Sequence, residues 1–232
     1  MADYTKPDHF SIKAQKEGYP ARSVYKLKEM DEKFGLLKTR RLPFKVLDLG
    51  AAPGSWSLYV LRKLSGPHFV HQSEKNPMAG NQGSGGSLPA SKAMPVSLVS
   101  IDLSPLSRQY DQGLFDRPDF LFVQGDFTLP EIREIVLSHG PYNLLVSDAA
   151  PANTGNRSVD TLRSLDLAEN ALDYAAAVLT KGGCLVVKVF QGGDTGNLLK
   201  KIRSLFETGK SFKPQACRAE SFETYYLGIG KL

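Results

Sequence analysis

Apolar and polar positions follow two periods along the chain. Behind Ser23, a candidate cap, the residues Val24, Leu27, Met30, Phe34 and Leu37 recur at helical spacing, and Pro20 ahead of them sets an extended entry. Residues 42–49 then predict a first strand, and 56–64 a helix crossing back over the sheet. Apolar runs at 96–102, 120–123, 143–146 and 184–190 predict four more strands. Helices are expected around 130–138 and over 157–179, the second stopped by Lys181-Gly182-Gly183 before the fifth strand. Residues 215–218 and 224–229 read as an antiparallel pair. Strands alternating with helices and closing on such a hairpin predict an α/β fold: one Rossmann-like domain whose seven-stranded sheet is mostly parallel.

One interval breaks the pattern. Residues 66–95 are rich in Gly, Ser, Asn, Pro and Gln and poor in apolar residues, so they read as a flexible surface insertion. Nucleotide-binding α/β folds place an acid about 20 residues beyond the glycine loop. Gly54 and Asp102 stand 48 positions apart, and setting aside the 30 residues of the insertion restores that spacing.

The first strand runs into a glycine loop, K-V-L-D-L-G-A-A-P-G-S-W over 45–56. Gly50 and Gly54 bracket a tight turn and Ser55 can open the next helix, whose free amides favour an electron-rich group. A dinucleotide fingerprint wants glycine at 50, 52 and 55, and the chain has Gly50, Ala52 and Ser55, which disfavours NAD. Asp48 can accept from a ligand amine or anchor the loop, and Trp56 offers an aromatic edge. These features suit S-adenosylmethionine, which carries an amine and a carboxylate.

Charge adds a second element. Residues 1–45 hold eleven Lys or Arg against six Asp or Glu, and the rest of the chain balances at eighteen of each, so the whole net charge of +5 precedes the first core strand. That segment is a candidate for holding phosphates, with a solvated basic helix as the plain alternative. The two cysteines, Cys184 and Cys217, are too few for a disulfide framework or a structural zinc site. No run of about 18 apolar residues and no signal pattern is present, so a cytoplasmic protein is expected.

The chemistry gathers at strand ends. Asp102, Asp126 and Asp148 follow successive strands, at the edge where open α/β sheets bind ligands. Asp102 suits ribose hydroxyls and Asp126 an adenine amine. Lys188, inside V-V-K-V-F, must reach the sheet edge, pair with an acid such as Asp148, or give up its charge; an amine that does the last can take a proton from a nucleophile. After the fourth strand Ser147-Asp-Ala-Ala-Pro151 lacks the aromatic clamp used on exocyclic amines, and neither cysteine is near. A hydroxyl acceptor assisted by lysine fits best.

The motifs D-L-G-A-A-P-G-S-W, I-D-L-S-P, Q-G-D-F, S-D-A-A-P with Gly155 following, V-V-K-V-F-Q-G and S-F-E-T-Y, with A-R-S-V-Y-K-L-K-E near the start, resemble the FtsJ/RrmJ family of RNA ribose 2′-O-methyltransferases. The likeness spans 13–230 apart from the insertion. It implies a catalytic tetrad of Lys26, Asp148, Lys188 and Glu223, and cofactor contacts at Gly54, Trp56, Asp102, Asp126 and Asp148, to which Asp48, Gly50 and Pro53 of the loop are added. Ser55 departs from the family, which often has a second glycine there.

The resemblance further implies S-adenosylmethionine as cofactor, no metal, and a uridine of large-subunit ribosomal RNA as substrate; a monomer is expected. A tRNA anticodon-loop enzyme and a non-catalytic ribosome assembly factor are the alternatives. Residues 1–41 would form a basic RNA-binding extension, with Lys13, Lys16, Arg22 and Lys28, joined by Arg40 and Arg41, on phosphates, and 42–232 the methyltransferase domain. Lys200, Lys201, Arg203, Lys210 and Lys213 would extend the track across the cleft. Tyr19 and Tyr25 are expected to pack rather than stack on bases.

Overall fold

The computed structural model describes residues 8–38, 43–65, 97–192, 195–218 and 220–232. The expected insertion at 66–95 and Arg40 and Arg41 lie outside these residues.

Two helices come first, α1 (His9–Lys16) and α2 (Val24–Phe34). Asp8 caps α1 by accepting from the Ser11 amide. Ser23 does not cap α2: its own backbone is already helical and its side chain makes no cap bond. The helix ends as its sequence asks, with Gly35 left-handed and its amide bonded to the Asp31 carbonyl. Then come β1 (Val46–Leu49), α3 (Ser55–Leu64), β2 (Leu98–Asp102), β3 (Phe120–Gln124), α4 (Pro130–His139), β4 (Tyr142–Ser147), α5 (Arg157–Val178), β5 (Leu179–Phe190), α6 (Thr195–Leu205), β6 (Phe206–Phe212) and β7 (Glu223–Lys231).

The seven strands form one sheet in the order β3-β2-β1-β4-β5-β7-β6. The first five are parallel and β7 runs antiparallel between β5 and β6. Alternation along each strand separates two cores. Leu47, Leu49, Val99, Ile101, Leu145 and Val187 meet α4, α5 and α6 on one face. Val46, Leu98, Val146, Val186, Tyr225 and Leu227 meet α1, α2 and α3 on the other. Burying a Leu or Val fully contributes roughly 1.5–3 kcal/mol, so the central strands anchor the fold.

Three boundaries differ from expectation, each for a local reason. The strand begins at Val46 rather than 42, because Pro43 has no amide to give and the Lys45 amide bonds the Asn143 side chain instead. Helix α5 stops at Val178 and β5 starts at once with Leu179, which pairs with Tyr142, so Lys181-Gly-Gly lies inside the strand at a register shift. The strand that forms the terminal hairpin with β7 is Phe206–Phe212, not 215–218, which lie in the loop between the last two strands. Phe206 and Phe212 reach opposite sheet cores through a stretch of Glu, Thr, Gly, Lys and Ser with too little apolar alternation to announce a strand.

Candidate active site

The loop from β1 to α3 is shaped by close approach. Gly50 has φ +75°, and a Cβ there would lie 2.5 Å from the Ala149 Cα, so the β1 and β4 loops touch only because residue 50 has no side chain. Asp102, at the end of β2, accepts from the Ala52 amide (2.9 Å) and the Ser104 amide (2.8 Å). The Pro53 carbonyl accepts from Ser107 at 3.0 Å.

Beneath the loop Asp48 is fully buried, its Oδ2 accepting from Ser57 Oγ at 2.7 Å while Oδ1 has no partner. Burial pushes its carboxyl up to about 7 against the Ser57 bond, and the charges of Asp148 and Asp102 add to the rise.

The start of α3 grips the N-terminal segment. Ser55 Oγ exchanges hydrogen bonds with the backbone of Ala21 (2.8 and 3.1 Å), and Trp56 Nε1 donates to the Ser23 carbonyl at 2.8 Å. Trp56 is only 2% exposed and packs near Tyr225, so the sequence-predicted edge beside a ligand is instead a core tie between α3 and α2.

A cavity of about 450 Å³ opens at the carboxyl ends of the parallel strands. Gly50, Asp102 and Asp126 line it; Asp48, Pro53, Gly54, Trp56 and Asp148, the other predicted cofactor contacts, are not in its wall. Asp126 Oδ1 accepts from the amide and hydroxyl of Thr128 (2.9 and 2.7 Å), fixing the carboxylate at the rim. Leu103, Phe127 and Leu167 supply apolar walls, and Arg163 and Asp166 the polar side of α5. Sequence reasoning missed these five. The signals were there: Leu103 directly follows Asp102 at a strand end, and 163, 166 and 167 share one helical face. Two carboxylates over apolar walls suit a flat ring bearing an amine and a sugar diol.

The four expected catalytic residues come together on the face of the sheet beneath α2. Lys188 lies two positions from Val186 on β5 and points to that face, opposite Tyr225 of β7. Its Nζ is 3.1 Å from Asp148 Oδ1 and 2.5 Å from the Asp148 carbonyl. Lys26 Nζ reaches down from α2 to Glu223 Oε1 at 2.8 Å and stands 5.9 Å from the Tyr225 ring centroid. The Tyr225 hydroxyl donates to Asp148 Oδ1 at 2.7 Å. Tyr225 was missed, although its place two residues beyond Glu223 on one strand put it on the same face.

Two cations and two carboxylates thus offset one another in a nearly closed site, where breaking one pair would strand a charge. Burial works to raise the Asp148 carboxyl, yet Lys188 and Lys26, with the Tyr225 bond, hold it below the usual range. Burial works to lower Lys26, and Asp148 and Glu223 outweigh it, so Lys26 stays firmly cationic. Tyr225 is driven well above its ordinary value by burial and by both acids, so it remains a donor. The nearby Cys217 thiol is pushed up to about 12, chiefly by burial, which makes it a poor nucleophile.

A second cavity of about 460 Å³ adjoins the cluster, with Lys26, Glu223, Arg22, Asn153 and Phe222 in its wall. Among the predicted phosphate contacts, Lys16 is exposed, and Lys13 sits 4.8 Å over the Tyr25 ring with Glu17 3.9 Å away. Arg22 is engaged by Asp8 and by the Ala216 carbonyl. Tyr25 is 3% exposed and packs. On α6, Lys201 is paired with Glu169 at 2.6 Å, and the helix covers the sheet face opposite α2.

The profile of the family described as FtsJ-like methyltransferase matches residues 19–231. A protein of Treponema denticola named ribosomal RNA large subunit methyltransferase E is 45% identical over 97% of this chain and 96% of its own length. One of the same name from Oleidesulfovibrio alaskensis is 39% identical over 96% of this chain and 91% of its own. Among solved structures, a ribosomal RNA methyltransferase of Plasmodium falciparum superposes with a TM-score of 0.63 at 22% identity, covering 92% of this chain and 99% of the other, a likeness of fold. With the family profile running from the turn before α2 to the end of β7, the chain belongs to the FtsJ-like methyltransferases.

Proposed function

We propose that the chain is an S-adenosylmethionine-dependent RNA ribose 2′-O-methyltransferase whose substrate is large-subunit ribosomal RNA, as the names of its relatives state for them. The observation that carries this reading is the pairing of Lys26 with Glu223 in the wall of one cavity and of Lys188 with Asp148 one residue from the wall of the other. Acceptor and methyl donor would meet across that cluster.

S-adenosylmethionine fits the first cavity: its adenine amine suits Asp126, its ribose Asp102, its ring the walls of Leu103, Phe127 and Leu167, and its polar tail the Gly50 loop. When bound, it supplies the electrophilic methyl group. Lys188 orients the ribose 2′-hydroxyl and, once its ammonium has released a proton to solvent, takes the hydroxyl's proton as a neutral amine. Asp148 fixes the Lys188 amine through two oxygens, Lys26 shares the charge of Asp148, and Glu223 holds Lys26 in place. Holding the oxygen in line for attack supplies much of the rate. Residues 1–41 serve as the RNA-binding extension, with Lys13, Lys16 and Lys28 on phosphates and residues 42–232 as the catalytic domain.

Labelled S-adenosylmethionine offered with large ribosomal subunits, free ribosomal RNA and tRNA tests this. Label should enter a ribose 2′-oxygen of the subunit, and Lys188→Ala should abolish it while cofactor binding persists. Label on tRNA alone, or transfer undiminished by Lys188→Ala, would overturn the reading.

A further inference from the structure

Phe222 is the aromatic side chain in the wall of the second cavity, immediately before Glu223. It has no part in the catalytic cluster, yet it is held firmly. Its carbonyl accepts from the Gln191 amide at 2.8 Å, tying it to the end of β5. Phe190 packs against it, 4.7 Å between centroids at 61°. The Arg157 guanidinium stands 4.9 Å from its centroid. Arg157 is itself fixed in position as the first residue of α5, where Asn156 caps the helix by accepting from the Ser158 and Val159 amides at 3.0 and 3.3 Å.

The ring is only half-buried and forms part of the cavity wall. Part of its aromatic surface is therefore open to whatever enters the cavity. A ligand on the ring also sits beside Lys26, which shares the wall. In single-stranded RNA an unstacked base is joined by one glycosidic bond to the ribose that carries the 2′-hydroxyl, and aromatic side chains and arginine planes are the surfaces on which such bases stack. Phe222 and Glu223 line the same cavity with Lys26, so a base on Phe222 brings its ribose toward that side of the cluster.

We propose that Phe222, backed by Arg157 and Phe190, is the platform on which the base of the target nucleotide stacks when it leaves its RNA stem. This rests on the RNA-methylating reading above and adds to it a residue that grips the base rather than the ribose or the phosphates. Stacking accepts any base, so the platform positions the nucleotide and leaves its identity to other contacts.

The test measures steady-state methylation of under-methylated large subunits by the full chain and by Phe222→Leu, Phe222→Tyr and Phe222→Trp. Leucine keeps apolar packing and loses the ring face. Phe222→Leu should raise KM for the subunit roughly 5- to 100-fold. Its affinity for S-adenosylmethionine and its melting temperature should match wild type, and Phe222→Tyr and Phe222→Trp should restore KM to within about twofold. A KM unchanged in Phe222→Leu, or raised equally in all three variants, overturns the platform while leaving the enzymatic reading intact. A wild-type chain that methylates no RNA overturns that reading, and the platform with it.

Discussion

Asp48 lies buried beneath the glycine loop, where burial favours its protonated form. Its carboxyl is raised to about 7 from an ordinary 3.8, so between those values the folded chain holds a proton that the unfolded chain has released. Stability from this group is therefore full below pH 4 and is lost as pH rises toward 7. Asp148, held low, acts in the opposite sense and only below the usual carboxyl range. Chemical denaturation of wild type and Asp48→Asn across pH 4–8 should show wild type losing on the order of 4 kcal/mol relative to the variant. Parallel profiles would show that Asp48 is ionised throughout. At this scale the sequence spoke clearly where a residue type is rare in its setting. A lysine inside V-V-K-V-F and acids at three strand ends announced themselves, whereas Tyr225, an ordinary aromatic in a β-rich stretch, did not. Trp56 was legible as important but not in its direction, since a helix N-terminus next to a ligand loop also faces its neighbouring helix.

Between residues and molecule stand the ties that join elements. Glu29 of α2 accepts from the Gln215 amide (2.7 Å) and the Ala216 amide (2.8 Å), so one carboxylate holds the loop between β6 and β7 against the N-terminal helices. Hydrogen bonds to a charged group contribute roughly 1.5–3 kcal/mol. Glu29→Ala should accelerate hydrogen exchange across 213–222 by about 10-fold or more and raise KM for RNA, with cofactor affinity unchanged. Exchange equal to wild type would place the restraint elsewhere, as in the Arg22 bond to the Ala216 carbonyl or the Arg218–Asp8 pair. The parallel strands and their helices were readable because each carries its own period. The β6 strand was not, because it is an edge strand whose few apolar residues serve two cores, and the end of α5 was not, because helix and strand abut with no turn between them.

For the whole molecule, the excess positive charge before β1 divides into cations that face water and cations already committed. Lys16 is exposed, while Arg22 is consumed by Asp8 and Ala216. Counterion release makes RNA affinity fall with salt, with a slope that counts phosphate contacts. Lys16→Gln should lower that slope by about one when subunit binding is followed from 50 to 300 mM salt. Arg22→Gln should leave the slope near wild type and lower the melting temperature instead. A slope unmoved by Lys16→Gln would remove that lysine from the phosphate track.

The place of β7 in the sheet has one more consequence, in the order of events during synthesis. Every residue that walls the first cavity precedes 168, so under the function proposed above the methyl donor's seat is encoded early in the chain. The acceptor machinery waits for Glu223 and Tyr225, which enter last, between β5 and β6, and meet a lysine from near the other end of the chain. A growing polypeptide thus acquires the means to hold a reagent before the means to use it, and its chemistry starts only when the final strand slides home.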